Sequence, residues 1–153
     1  MPTPEFVLEL RKKIGHDLLW LNGVTGCVLD DRGRLLLGRR SDTGEWAMVY
    51  GINEPGEQPA DTVVREIKEE TGIDLGEVRY LGSQPWPFPA SLMMAFKAQA
   101  LSTDILVDGE ETETARWVTR DEYTIELSEG RMEAPGKSTI ARYMIEEWYG
   151  REL

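Results

Sequence analysis

The chain of 153 residues is the size of one domain, and its 41% hydrophobic and 29% charged residues are typical of a globular protein. No apolar run approaches the roughly 18–20 residues of a membrane span, and the amino terminus lacks the features of a secretory signal, so we expect a cytoplasmic protein without a membrane partner. Seventeen basic and twenty-eight acidic residues give a net charge of -11, which argues against polymeric nucleic acid as a partner because it repels phosphate backbones.

The first third of the chain predicts a helix followed by a β-hairpin. Before His16, apolar residues recur at helical spacing, namely Phe6, Val7, Leu10 and Ile14. Residues 18–29 are rich in β-compatible types, and turn residues at 30–33 separate them from a second apolar run at 35–37. Residues 41–56 are rich in Gly, Pro, Asn and Asp, which predicts loops interrupted by a short strand at about residues 46–50.

Residues 59–71 carry the strongest helix signals in the chain. Pro59 stands in the first turn, Asp61 lies near the positive end, and Gly72 follows the last turn as a left-handed cap. The predicted apolar stripe consists of Ala60, Val63, Val64 and Ile67. Spacings of three and four residues bring three carboxylates together on another face, those of Glu66, Glu69 and Glu70.

The remaining elements predict an α/β or α+β fold. Strand-like segments occur near residues 77–83, 91–100 and 111–118, and a final helix starts at about Ser138. The residues of that helix predicted to face inward are Ile140, Met144, Ile145 and Trp148. Because the chain has no internal repeat, low-complexity tract or linker, we expect a single domain over residues 1–153.

Residues 51–73 read GINEPGEQPADTVVREIKEETGI and resemble the Nudix box at every specified position. The matching residues are Gly51, Glu57, Arg65, Glu66, Glu69, Glu70 and Gly72. The resemblance implies the Nudix fold, a mixed β-sheet sandwiched between helices. It also implies hydrolysis of a nucleoside diphosphate linked to another group, by attack of water on phosphorus.

The acidic face of this helix has a plain alternative interpretation, because most charge runs only solvate a surface. Carboxylates crowded on one face nevertheless repel one another by roughly a few tenths of a kcal/mol per pair, and Mg²⁺ or Mn²⁺ would remove that cost. The Nudix resemblance implies Glu66 and Glu70 as principal metal ligands, with Glu69 supporting the metal or acting on the water. It adds the main-chain carbonyl of Tyr50 as a ligand. Structural roles in the motif fall to Gly51, Glu57, Arg65 and Gly72.

A second motif, SQPWPFPASLM at residues 83–93, resembles the signature of the NADH diphosphatase branch of Nudix enzymes. Its prolines predict a rigid loop, and its aromatic side chains either wall in a base or pack as ordinary core residues. The resemblance implies substrate binding by Gln84, Pro85, Trp86, Pro87, Phe88, Pro89, Ser91 and, near the end of the chain, Ala141. It implies a further metal ligand at Glu111, whereas a neighbouring acidic position of the branch falls on Thr114. Glu113 lies one residue away, but a shift of one residue in a strand turns the side chain to the opposite face. Glu110 and Glu113 are therefore weaker candidates.

The sequence departs from this branch at several positions. A single cysteine cannot form the four-cysteine zinc ribbon that the branch usually carries. Ile52 stands where an aromatic that stacks on nicotinamide is common, and Leu18 stands near another aromatic position, although Trp20 is close. Nudix likeness covers roughly residues 18–149. The part up to residue 73 is more similar to stand-alone Nudix hydrolases, and the part from about residue 80 is more similar to the NADH branch.

The expected function is hydrolysis of NADH, NAD⁺ or ADP-ribose with Mg²⁺ or Mn²⁺, so that a small nucleotide diphosphate is the expected partner. One alternative is a housecleaning hydrolase of nucleoside triphosphates. An alternative of another class is a noncatalytic Nudix-type nucleotide sensor, whose usual sign is the loss of box glutamates. A homodimer is plausible by analogy with the family only.

Several other residues are set aside. Cys27 cannot form an internal disulfide or, without Cys or His partners, a structural zinc cluster, and it falls in a predicted buried strand where a free cysteine packs. His16, the single histidine, suits a capping or surface role. The phosphate-binding patterns GxGxxG and GxxxxGK[ST] are absent. Isolated basic residues usually serve solubility, so the sequence does not assign Arg39, Arg40 or Lys97 to the site.

Overall fold

The computed structural model describes residues 3–86 and 90–153, and in these ranges the chain forms four helices and one seven-stranded sheet. The helices are α1 (Glu5–Ile14), α2 (Pro59–Thr71), α3 (Arg120–Ser128) and α4 (Ile140–Tyr149). The strands are β1 (Leu21–Leu29), β2 (Leu35–Arg40), β3 (Trp46–Ala47), β4 (Tyr50–Ile52), β5 (Leu75–Trp86), β6 (Ser91–Ala100) and β7 (Thr112–Val118). None of the helices in this part of the chain has both the length and the apolarity needed to cross a bilayer.

The sheet is mixed, as predicted. Its central order is β3-β2-β1-β6-β5, while β4 pairs with β1 and β7 pairs with β2. Strands β1 and β6 run parallel, with Leu21 opposite Ser91 and Leu29 opposite Gln99, whereas the other pairs are antiparallel. The predicted hairpin is confirmed, because β1 and β2 are antiparallel neighbours with Leu29 opposite Leu35.

Two apolar cores cover the two faces of this sheet. On β2, Leu35 and Leu37 enter the core beneath α3 and α4, and Leu36 enters the core beneath α2, as the two-residue period of a strand requires. The inward-facing residues predicted for α4 are confirmed, with Met144, Ile145 and Trp148 buried and Ile140 packed against them. The sheet is therefore sandwiched between helices.

Helix α2 has the predicted bounds, but its buried face is not the predicted one. Gly72 ends the helix in the left-handed region at φ 75°. Val63 and Ile67 are buried, whereas Val64 is 37% exposed, so its assignment to the apolar stripe is wrong. The reason is that α2 also buries Glu66 and Glu70, which rotates the inner face away from Val64.

The structure corrects three further expectations. The sequence analysis missed α3, whose start is fixed by a reciprocal pair: Glu122 N–H donates to Thr119 Oγ1 at 3.1 Å, and Thr119 N–H donates to Glu122 Oε1 at 3.3 Å. Residues 46–52 form two short strands rather than one. Strand β5 continues to Trp86 where a loop was expected, and Pro85 is tolerated because β5 lies at the edge of the sheet.

Candidate active site

The loop before α2 is tied to the helix by a two-pronged ion pair. Arg65 donates from Nε to Glu57 Oε2 at 2.8 Å and from Nη2 to Glu57 Oε1 at 3.0 Å. Thr62 Oγ1 adds a hydrogen bond to Glu57 Oε1 at 2.7 Å. Asn53 Nδ2 donates to the Glu57 carbonyl at 3.0 Å and to Thr62 Oγ1 at 2.7 Å. Residues 53–57 are thereby held against the first turns of α2.

We expect Glu57→Gln to lower the free energy of unfolding by about 1–3 kcal/mol at pH 7, since it removes hydrogen bonds to a charged partner. The Arg65 guanidinium lowers the pKa of Glu57 from 4.5 to about 2. A lowered pKa stabilises the fold above the ordinary pKa, and this contribution is lost as the pH falls towards the lowered value. Urea unfolding should therefore show the difference between wild type and variant shrinking from pH 5 to pH 3.

The control for this variant is Glu113→Gln, since Glu113 is 59% exposed and lies 4.0 Å from its partner Arg39. It should change the free energy of unfolding by less than about 0.5 kcal/mol at every pH. A Glu57→Gln deficit that stays constant between pH 7 and pH 3 would contradict the assigned ion pair.

Gly51 of β4 makes room for the carboxylate of Glu66. A Cβ atom at Gly51 would lie 2.3 Å from Glu66 Cδ and 2.5 Å from its Oε1, which no side chain can occupy. Strand β4 is itself fixed on β1, where Gly51 stands opposite Val24. The backbone of β4 thus approaches α2 closely enough to cradle Glu66, whose side chain is 5% exposed and accepts from Arg65 Nη1 at 3.1 Å.

Glu70 lies one turn further along α2 and is also buried. Burial, with the nearby charge of Glu66, raises the pKa of Glu70 from 4.5 to about 7. Burial likewise raises the pKa of Glu66. Glu69, in contrast, is 61% exposed and contacts Arg65 Nη1 at 3.3 Å. Of the three box glutamates, two are therefore held in surroundings that disfavour their negative charge.

These carboxylates border a cavity of about 270 Å³ that we call the acidic pocket. Its acidic lining residues are Glu5, Glu54, Glu66, Glu69, Glu70, Asp108 and Glu111. Among the described residues that line it, Arg65 is the single basic one. Asp108 was missed by the sequence analysis, although the Asp-Gly pair before β7 is a turn signal. Asp108 Oδ1 accepts from the backbone N–H groups of Glu110 at 3.1 Å and Glu111 at 3.3 Å.

The donor chemistry of the acidic pocket fits a hard divalent cation, which prefers several carboxylate oxygens and relieves the repulsion between buried negative charges. Glu111 reaches the same pocket as Glu66 and Glu70. Glu113 instead lies within 4.0 Å of Arg39, and Thr114 stands opposite Arg39. Within residues 3–86 and 90–153, however, no three His, Cys, Asp or Glu side chains already stand in an arrangement that could hold a metal ion.

A much larger cleft, of about 920 Å³, lies at the other end of the site. We call it the apolar cleft. Its apolar lining includes Trp46, Met48, Trp86, Met93, Met132, Ile140, Ala141 and Ile145. Its volume and lining are typical of sites that enclose a small organic ligand.

A third cavity, of about 150 Å³, joins the other two, and we call it the bridging pocket. It shares Ala47, Met48 and Tyr50 with the apolar cleft. It shares Glu70 and Glu111 with the acidic pocket. Tyr50, the predicted carbonyl ligand, therefore stands between the apolar cleft and the carboxylates. The three cavities are therefore adjacent, and we call them together the groove.

The residues predicted to bind substrate separate into three groups. Gln84, Trp86 and Ala141 line the apolar cleft, whereas Pro85 and Ser91 do not border it. Pro87, Phe88 and Pro89 lie outside the described residues. The amide of Gln84 is occupied at both ends, since Nε2 donates to the Ser138 carbonyl at 2.6 Å and Oε1 accepts from Ile140 N–H at 2.8 Å. Gln84 thus fastens the start of α4 beside the cleft.

The chain is similar in sequence to known proteins. The model of the NUDIX domain matches residues 20–143. Over 123 residues the chain is 42% identical to the Homo sapiens protein named NAD-capped RNA hydrolase NUDT12, covering 77% of this chain and 27% of that protein. Over 129 residues it is 40% identical to NAD-capped RNA hydrolase NudC of Stutzerimonas stutzeri (strain A1501), covering 82% of this chain and 44% of that protein. The chain thus spans less than half the length of these relatives.

Solved structures share the fold. The crystal structure of MutT NUDIX hydrolase from Burkholderia pseudomallei is similar at a TM-score of 0.63 and 23% identity, over 84% of this chain and 97% of that one. The NUDIX hydrolase from Nitrosomonas europaea is similar at a TM-score of 0.67 and 21% identity, over 86% of this chain and 74% of that one. At these identities the likeness is one of fold.

Proposed function

The chain belongs to the NUDIX hydrolase family, and we propose that it hydrolyses the pyrophosphate bond of a dinucleotide of the NADH, NAD⁺ or ADP-ribose type. The observation that supports this proposal is the groove of adjacent cavities, in which the bridging pocket shares lining residues with the large apolar cleft and with the acidic pocket of the buried glutamates. A base suits the apolar cleft, and a diphosphate suits the acidic pocket, where a cation would be held. We further propose that residues 1–153 form one domain, because both cores are built on a single sheet.

We assign the metal ligands to Glu66, Glu70, Glu111 and the main-chain carbonyl of Tyr50, which would draw together on Mg²⁺ or Mn²⁺. These residues would hold a divalent cation that, when bound, would neutralise the charge of the diphosphate and lower the pKa of a coordinated water. Glu69 is exposed beside these ligands, where it can orient a water or accept its proton. Glu57 and Arg65 hold the loop against α2, and so keep Gly51 against Glu66.

Water adds across the phosphorus–oxygen–phosphorus bridge in this reaction. NAD⁺ would yield AMP and nicotinamide mononucleotide, and ADP-ribose would yield AMP and ribose 5-phosphate. The names of the relatives refer to RNA that carries NAD. This conflicts in part with the expectation that polymeric nucleic acid is not a partner. An RNA oligonucleotide with an NAD cap therefore belongs among the test substrates, although the net charge of -11 favours the free dinucleotide.

A substrate panel with product identification tests the proposal. NADH, NAD⁺, ADP-ribose, NAD-capped RNA, nucleotide sugars and nucleoside triphosphates are each incubated with Mg²⁺, with Mn²⁺ and with excess chelator. We expect AMP from the dinucleotides and no turnover in chelator. Release of pyrophosphate from triphosphates alone would replace the proposal with a housecleaning hydrolase. Tight nucleotide binding without any turnover would replace it with a noncatalytic sensor.

A further inference from the structure

The bridging pocket contains a basic side chain that the sequence left unassigned. Arg40 is the single basic residue among the described residues that line this pocket, which it shares with Glu70 and Glu111. Its neighbour Arg39 lies elsewhere, donating from Nε to the Gly44 carbonyl at 3.1 Å and standing 4.0 Å from Glu113. The two adjacent arginines therefore have different surroundings.

Regular alternation along β2 explains why these neighbours have different surroundings, because successive side chains of a strand point to opposite faces of the sheet. The pairing of β2 with β7 shifts register between Arg39 and Arg40, so that Arg39 stands opposite Thr114 and Arg40 stands opposite Thr112. The extra residue of this β-bulge is Glu113 of β7, and bulges are frequent beside active sites. Gly38 and Arg40, two residues apart on β2, both line the bridging pocket, so Arg40 lies on the face of β2 that borders it.

The guanidinium of Arg40 is held from two sides. Asp42 accepts from Nε at 2.9 Å and from Nη2 at 2.5 Å, and the Tyr50 hydroxyl accepts from Nη1. The guanidinium carbon also lies 4.7 Å from the centroid of the Tyr50 ring. These contacts use three of the five N–H groups of an arginine. Within residues 3–86 and 90–153, the second N–H of each terminal nitrogen has no acceptor and can bind a ligand.

We propose that Arg40, fixed by Asp42 and Tyr50, binds the diphosphate of the substrate and so makes the groove select nucleoside diphosphate compounds over nucleosides. The proposal rests on the function proposed above. An arginine is suited to this task because its planar fork donates two hydrogen bonds to one oxyanion group. Prior fixation by Asp42 and Tyr50 lowers the entropy lost when the phosphate binds. Asp42 and Tyr50 are thus positioning residues.

Binding of two probes separates this role from a structural one. α,β-Methylene-ADP, which resists cleavage of its bridge, and adenosine are each titrated in Mg²⁺ by NMR, which also measures millimolar affinities. We expect Arg40→Gln to weaken binding of methylene-ADP by about 10–100-fold, the size of charge-assisted hydrogen bonds, and to change adenosine binding by less than about twofold. Arg40→Lys should recover part of the loss, since it restores the charge without the fork.

Arg39→Gln is the matched control, because it removes the same charge from the adjacent residue of the same strand. It should leave the affinities for both probes within about twofold of wild type. Equal losses in Arg39→Gln and Arg40→Gln would overturn the proposal in favour of bulk charge. Equal losses for adenosine and methylene-ADP would overturn it in favour of a structural role. A variant without any loss for methylene-ADP would also overturn it.

The outcome is distinguishable from failure of the proposed function. If no dinucleotide is turned over, the binding comparison between the two probes still decides the role of Arg40. If dinucleotides are turned over and Arg40→Gln retains the wild-type kcat/KM, the function stands and the role of Arg40 falls. Asp42→Asn and Tyr50→Phe each retain Arg40 but weaken one of the contacts that fix its guanidinium. Each should give a smaller rise in KM than Arg40→Gln.

Discussion

Replacing Glu70 with Gln is expected to lower turnover by at least about 10²-fold in saturating Mg²⁺, because the change removes the negative charge of a residue that we propose as a metal ligand. The same variant should make the metal-free protein more stable above pH 7. The amide has nearly the shape of the carboxylate, so packing around α2 is preserved. Loss of activity together with gain of stability is a pairing that misfolding cannot produce.

The stability effect follows from the raised pKa of Glu70. Burial holds this pKa at about 7 instead of 4.5, so the protonated form is the one that the fold favours. A raised pKa gives a contribution to stability that is full below the ordinary pKa and is lost as the pH rises through the raised value. Wild type loses it between about pH 4.5 and pH 7. The variant has no proton to lose, and above pH 7 its metal-free form should gain about 1–3 kcal/mol.

Urea unfolding in chelator at pH 5 and pH 8, beside steady-state turnover, measures both effects. Glu77→Gln on β5 is the control, because Glu77 is exposed and borders a different surface cavity, with Arg79 and Lys97. It should match wild type in turnover and stability. Wild-type turnover in Glu70→Gln would remove Glu70 from the metal site, and lowered stability of that variant at pH 8 would contradict the assigned burial cost.

Gly51→Ala is expected to have the second large effect, a loss of turnover of at least about 10²-fold, since small misplacements at a reaction centre are this costly. The added methyl group cannot coexist with Glu66, whose Cδ lies 2.3 Å from the position of the new Cβ. Either the Glu66 carboxylate leaves its place or β4 separates from α2. Because Gly51 does not have a positive φ, the effect is steric. Overpacking should also cost about 1–3 kcal/mol of stability.

Gly82→Ala provides the matched control for this variant. Gly82 lies on β5, lacks a positive φ, and a Cβ there would meet nothing within 4 Å. Turnover and Mn²⁺ affinity, the latter measured by electron paramagnetic resonance, should be unchanged in Gly82→Ala and reduced together in Gly51→Ala. Full Mn²⁺ affinity and turnover in Gly51→Ala would show that the cradle around Glu66 is not needed.

Local signals in the sequence sufficed for the bounds of α2 and for the hairpin. Pro59 and Gly72 act through their own backbone preferences, so they mark the ends of α2 without reference to the rest of the chain. The inner face of α2 depends on tertiary contacts instead. Hydrophobicity predicts that Val64 is buried and that the glutamates are exposed. In the structure, Gly51 approaches Glu66 closely, Glu66 is buried, and Val64 is partly exposed to solvent.

The sequence analysis missed helix α3 and the positions of Arg40 and Asp108 for similar physical reasons. Helix α3 has only a weak amphipathic pattern, and the capping pair of Thr119 and Glu122 was the available signal. Arg40 was set aside because a basic residue in isolation usually serves solubility. Its place beside carboxylates depends on tertiary contacts, because Glu70 and Glu111, which line the same pocket, come from distant parts of the chain. A local sequence pattern cannot predict such contacts. Asp108 likewise meets the carboxylates of α2 only through contacts between distant parts of the chain.

A crystal structure with Mn²⁺ and a non-cleavable methylene analogue of ADP-ribose tests the central claim most directly, because the anomalous signal of Mn²⁺ locates the cation independently of the protein atoms. The account predicts an anomalous peak in the acidic pocket, within coordination distance of carboxylate oxygens from both Glu66 and Glu70, with the diphosphate beside it. Well-diffracting crystals at saturating Mn²⁺ with no peak at these two carboxylates would contradict the account.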